Sequence, residues 1–146
     1  MTADPFDLAR FVTAQAGAFD QAVAELRAGR KRTHWMWFIF PQLRGLGRSP
    51  TAQRYGIASL AEASAYVEHP VLGPRLESAL AAVQASGAAD LYELFGAPDD
   101  LKFCSSMTLF TVAAPDGPYR LALDRWCGGK HDLRTLNLLR AGGEAP

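Results

Sequence analysis

The chain has 146 residues, 49% of them apolar and 21% charged, enough for one domain with a hydrophobic core and the composition of an ordinary globular protein. Lys plus Arg and Asp plus Glu number 15 each, so net charge gives no pull toward nucleic acid or an anionic membrane. Two cysteines, Cys104 and Cys127, are too few for a disulfide framework and have no neighbour at metal-ligand spacing, so neither a metal nor a cofactor is expected.

The start, MTADPFDLARF, lacks the basic head and apolar centre of a signal peptide. No apolar stretch reaches the roughly 18 residues of a membrane span, so the expected compartment is the cytoplasm. Leu8, Phe11, Val12, Phe19, Val23 and Leu26 recur at helical spacing, with Asp4-Pro5 as the expected cap. Gly17 predicts a break between two short helices, and Gly29 ends the second.

Ser59 and Glu62 form a capping box that opens a helix ending near Pro70. His69 reads as a helix-boundary residue. Leu72, Leu76, Leu80 and Val83 mark the next helix, closed by Gly87. Asp90 caps the short LYELF, ended by Gly96, and Asp99 or Asp100 is expected to cap a helix over 101–113. A helix over 119–127 stops at Gly128-Gly129. Asp132 caps LRTLNLLR, and 141–146 is expected to fray. The one strand candidate is WMWFIF, whose periodicity does not separate a buried strand from a buried helical turn. The expected fold is an all-α, multihelical single-domain bundle over 1–146, with its core at 6–139.

Chemistry concentrates in two segments. The first is GRKRTHWMWFIFPQLRGLG (29–47), where Arg30, Lys31, Arg32 and Arg44 flank Trp35, Trp37, Phe38 and Phe40 beside His34 and Gln42. Indoles beside guanidinium groups suit a nucleotide: rings stack while cations meet phosphate. The plainer reading is an aromatic core plug after a basic helix end, whose cations complement the helix dipole. Glycines 45 and 47 give a loop whose amides would hold an anion, although no phosphate-loop fingerprint is present.

The second segment is PDDLKFCSSMTLF (98–110). Asp99, Lys102 and Ser106 share one helical face with Ser105 beside them, while apolar residues cover the rest. A helix apolar nearly all round is buried, so its polar seam must meet another side chain, water or a ligand. An internal Asp99–Lys102 pair with serines bonding back to the helix satisfies that demand without any ligand. His131-Asp132 reads better as a helix cap than as an acid–base couple.

The stretches ELRAGRKRTHWMWFIFPQLRGLGRSPTAQRYGI, EASAYVEHPVLGPRL, FGAPDDLKFCSSMTLF and GGKHDLRTL resemble domain-of-unknown-function family 1810, which carries the label "calpastatin" in some bacterial proteins. The resemblance covers about 6–139. It implies a small multihelical bacterial protein of the Rv-type hypothetical-protein fold and brings no established reaction. A fainter similarity, in size, helicity and an aromatic-plus-"SP" segment, is to the NADAR group, linked to cleavage of ADP-ribose-type N-glycosidic bonds. That group's acidic residue within EHYFQ has no counterpart here.

The expected site is one pocket where the two segments meet. Arg30, Arg32, Trp35, Trp37, Gln42, Arg44, Ser105 and Ser106 would bind a nucleotide-like small molecule. Asp100, His34 and Lys102 are the catalytic candidates: the aspartate would stabilise an oxocarbenium-like transition state or activate water, and the histidine would donate a proton. The alternatives are a non-catalytic module for a small anion, and a ligand-free polar network with a basic docking surface. Sequence gives no oligomeric state.

Overall fold

Punctuation residues set most of the helix ends. In the computed structural model, which describes residues 3–142, the chain forms ten helices and, among those residues, no strand. They are α1 (Ala9–Gln15), α2 (Phe19–Arg27), α3 (Met36–Ile39), α4 (Pro50–Tyr55), α5 (Leu60–Glu68), α6 (Leu72–Gln84), α7 (Leu91–Phe95), α8 (Asp99–Ala113), α9 (Tyr119–Trp126) and α10 (Leu133–Ala141). Ser59, Asp90 and Asp132 cap α5, α7 and α10, each accepting from the backbone N–H three residues on. Breaks fall at Gly17, Gly29, Gly87 and Gly96. Residues 143–146, most of the expected frayed tail, lie outside the described residues.

Three local expectations are corrected, and one element is added. WMWFIF is not a strand: Met36–Ile39 is a single helical turn, because Trp35 and Phe40 are both drawn into the core on either side of it. Asp4 does not begin α1 directly; it reaches forward, Oδ1 accepting from Leu8 N and Oδ2 from Ala9 N, and those bonds hold its carboxyl below the usual carboxylate range. The first turn of α8 follows Pro98 with no side-chain cap, and Asp99 and Asp100 lie inside the helix. Ser49-Pro50 opens α4 in a segment for which no element was expected, Ser49 Oγ accepting from Ala52 N.

The core is organised around α8. Phe103, Met107, Leu109 and Phe110 are sealed from solvent, and α5, α7, α9 and α10 pack around the helix. Each such side chain contributes about 1.5–3 kcal/mol on burial. Leu101, expected among the apolar majority of this helix, is instead 69% exposed near its first turn. α6 lies against both α2 and α5, and α3, which carries Trp37 and follows Trp35, packs on α1 and α4. A lone parallel bridge joins Leu43 to Ile57: Arg44 N donates to Ile57 O (2.7 Å) and Ile57 N to Gln42 O (3.0 Å).

The α5–α6 corner depends on Gly73. A Cβ there would run into the Val67 carbonyl oxygen, a backbone atom that cannot swing away. Gly73→Ala is therefore expected to lower stability by about 2–3 kcal/mol, read as a shifted urea midpoint at unchanged slope. A cost under about 0.5 kcal/mol would mean that the corner relaxes freely.

Candidate functional site

The two chemistry-bearing segments do meet, through side chains that satisfy one another. Lys31 Nζ contacts Asp99 Oδ2 at 3.0 Å and donates to Thr33 O at 2.6 Å. Lys102 Nζ lies 3.5 Å from Asp99 Oδ1, the expected i,i+3 pair. Each ammonium also rests on an indole, Lys31 on Trp35 and Lys102 on Trp37, both 5.0 Å from the ring centroid. One aspartate thus joins two lysines, and two indoles cover them.

The expected hollow between the segments is nearly absent. Met36, Trp37, Phe40, Gln42, Tyr55 and Lys102 line a cavity of about 10 Å³, the space of a single water. A nucleotide does not fit there. Trp35 is outside this cavity, fully buried, with its ring against Phe40 and Phe95 and its Nε1–H given to Glu25. Ser105 Oγ turns to Asp132 Oδ2 (3.1 Å) and Leu101 O (3.2 Å), tying α8 to the start of α10. Ser106 is sealed in the core with no hydrogen-bond partner for its hydroxyl among the described residues.

Nor do the catalytic candidates converge. His34 is exposed, Asp100 Oδ1 accepts from the neighbouring Leu101 N, and Lys102 is held by Asp99 and Trp37. Of the three, only Lys102 lines the small cavity. Arg44 lies elsewhere, on a shallow groove with Arg10, Arg54 and Glu62, its Nε donating to Gln53 O.

Arg30 and Arg32 have a different setting. The basic loop is fixed from behind by Glu25, a buried carboxylate on the inward face of α2. Its Oε1 accepts from Arg32 N (2.7 Å), Thr33 N (2.9 Å) and Trp35 Nε1 (2.9 Å). Its Oε2 accepts from Thr33 Oγ1 (2.6 Å) and Gln21 Nε2 (3.0 Å). Burial opposes the charge, but the bonds from Thr33, the Arg32 amide and Trp35 outweigh it and hold the carboxyl at about 2. Arg30 N donates to Glu25 O and Lys31 N to Leu94 O (2.7 Å). Gly29, at φ 83°, makes the turn that an L side chain would resist.

With the main chain so held, the Arg30 and Arg32 side chains project outward, and neither makes a hydrogen bond, ion pair or ring contact among the described residues. They edge an open groove of about 630 Å³ between residues 28–32 and 92–96. Its far wall carries Tyr92, 67% exposed, and Glu93, whose Oε2 accepts from Ala89 N.

Sequence reasoning found the two arginines but missed Glu25 and Tyr92. Glu25 was legible as an acid between Ala22 and Leu26 on the apolar face of α2, where a buried carboxylate requires donors. Tyr92 gave no signal, since one exposed tyrosine is unremarkable until its neighbours are known.

Residues 5–139 match the family described as "Protein of unknown function (DUF1810)". The chain belongs to that family. A solved structure similar to this DUF1810 chain is that of the conserved hypothetical protein Rv1873 from Mycobacterium tuberculosis. The two are 56% identical and superpose with a TM-score of 0.91, over 94% of this chain and 99% of that one. No curated protein matches the DUF1810 chain. Among its described residues, no helix is long and apolar enough to cross a membrane.

Proposed function

We infer that this DUF1810 protein is a non-catalytic binding module for a phosphorylated small molecule of the nucleotide class, seated in the groove between residues 28–32 and α7. The observation that carries this reading is the pair of guanidinium groups, Arg30 and Arg32, unpartnered among the described residues on a loop whose amides from Arg30 to Thr33 are all hydrogen-bonded. Guanidinium forks match phosphate oxygens in geometry and charge, and a rigid loop loses little entropy when it binds. Tyr92 supplies an exposed ring for a base to stack on. The groove's volume lies within the range of small-molecule sites. Binding is favoured over hydrolysis because His34, Asp100 and Lys102 are all absent from the groove's lining.

The test is thermal shift and calorimetry with ATP, ADP and pyrophosphate, repeated on Arg30→Gln/Arg32→Gln. ADP or ATP is expected to raise Tm by several degrees at a hundredfold excess over Kd, about 2.7 kcal/mol of stabilisation. The double variant should lose at least about tenfold in affinity, since charge-assisted hydrogen bonds are worth about 1.5–3 kcal/mol each. Tyr92→Ala should weaken nucleotides but not pyrophosphate. If none of these anions raises Tm, or if the double variant binds as tightly as the wild type, the reading is wrong.

A further inference from the structure

The WCGGKHD segment, 126–132, contributes nothing to the groove, yet it carries the densest set of ties to α8. Cys127 follows α9 and is bonded to Cys104 in the first half of α8, their Cα atoms 6.0 Å apart across 23 positions of sequence. Next to it, Ser105 Oγ donates to Asp132 Oδ2, and Asp132 N donates to Thr108 Oγ1 at 2.8 Å. Cys104, Ser105 and Thr108 thus hold one connection, the turn from α9 to α10. The turn has its own bonds, Gly129 N to Leu123 O and Lys130 N to Cys127 O. Beyond it, α10 reaches the 43–48 loop: Arg134 Nη2 donates to Leu46 O, and the Leu138 methyl groups lie beside Gly45.

We propose that Cys104 and Cys127 are a reversible oxidation site whose thiol state sets how firmly the α9–α10 turn and α10 are fastened to α8. Both cysteines are half-buried at the edge of the core, within reach of a small thiol or disulfide reagent. On oxidation the two thiols lose two electrons and two protons to a low-molecular-weight disulfide, which leaves as two thiols; a dithiol reverses the exchange through a mixed disulfide. The bond spans the helices from outside their main packing, so its loss leaves the α8 core intact. In the reduced form the turn itself is tied to α8, among the described residues, by the Ser105–Asp132 and Thr108–Asp132 hydrogen bonds, beside the packing of α9 and α10 on that helix. A connection held by two polar ties opens more readily than the α8 core.

The experiment takes the whole chain, incubated with oxidised glutathione or with dithiothreitol. It reads iodoacetamide labelling by intact mass, Tm, and hydrogen exchange by segment. After oxidised glutathione neither cysteine should take label, and no glutathione should stay attached; after dithiothreitol both should be labelled. The oxidised form should melt about 6–12 °C higher. Exchange over 128–141 should speed up in the reduced form by clearly more than exchange over α2 and α6, which follows the change in global stability alone. Cys104→Ser/Cys127→Ser should exchange like the reduced wild type under either reagent. The proposal is overturned if labelling is the same after both treatments, or if exchange over 128–141 does not change. It is equally overturned if exchange rises evenly along the chain, because the pair then belongs to global stability and not to a local fastening.

Discussion

Glu25→Gln is expected to lower stability by about 3 kcal/mol at neutral pH, a cost that fades in acid. The carboxyl has an ordinary value of 4.5 and sits at about 2 in the folded protein, and each unit of that difference is worth about 1.4 kcal/mol. Its folded value is depressed, so the stabilisation is fully present above about pH 5 and is lost as pH falls toward 2. A glutamine keeps one oxygen for donors but presents an N–H₂ where Thr33 Oγ1 and Gln21 Nε2 both donate. Urea titrations of the wild type and the variant between pH 7 and pH 2.5 check this. The gap between them should shrink steadily below pH 5. A gap under 1 kcal/mol at pH 7, or one independent of pH, would show that the five hydrogen bonds contribute little net energy. On the binding role proposed above, the variant should also take up pyrophosphate more weakly, because Glu25 holds the loop that carries Arg30 and Arg32.

Arg10→Met is expected to be at least as damaging, about 3–5 kcal/mol. All five N–H donors of this buried guanidinium are used. Nε meets Arg54 O, Nη1 meets the Phe6 and Asp7 carbonyls, and Nη2 meets Gly56 O and, at 2.7 Å, Glu62 Oε2. Methionine fills much of the volume but leaves four carbonyls short of a donor and a sealed carboxylate without its counter-charge. Among the described residues, Glu62 would retain only the Ala58 amide. Chemical denaturation of Arg10→Met, Glu62→Gln and the double variant makes the measurement. Removing Glu62 as well should recover part of the loss, because it removes the stranded charge. A single-variant cost under about 1 kcal/mol, or a double variant whose cost is the sum of the two, would rule out this pair as a coupled unit.

What the sequence revealed follows a physical division. Caps and breaks are local, and so Ser59, Asp90, Asp132, Gly17 and Gly87 could be read where they stand. The Asp99–Lys102 pair was legible for the same reason, being set by helical spacing alone. The indole segment was harder. Trp35 and Trp37 were expected to act together, but Trp35 precedes the helical turn and reaches Glu25, while Trp37 lies within the turn and sits under Lys102. Whether two packed segments leave room between them is a matter of side-chain volumes at long range, which no spacing rule encodes. Arg10 and Cys104 were missed likewise, since their partners lie 52 and 23 positions away.

The way the 29–33 loop is secured has a consequence for how the family can diversify. Its position is fixed through amides and a carbonyl, by Glu25 and Leu94, and not through the arginine side chains themselves. Shape and chemistry at this rim are therefore separable. Either arginine can be exchanged for another residue while the backbone stays on its mount, so the charge of this rim can change without refolding around the change.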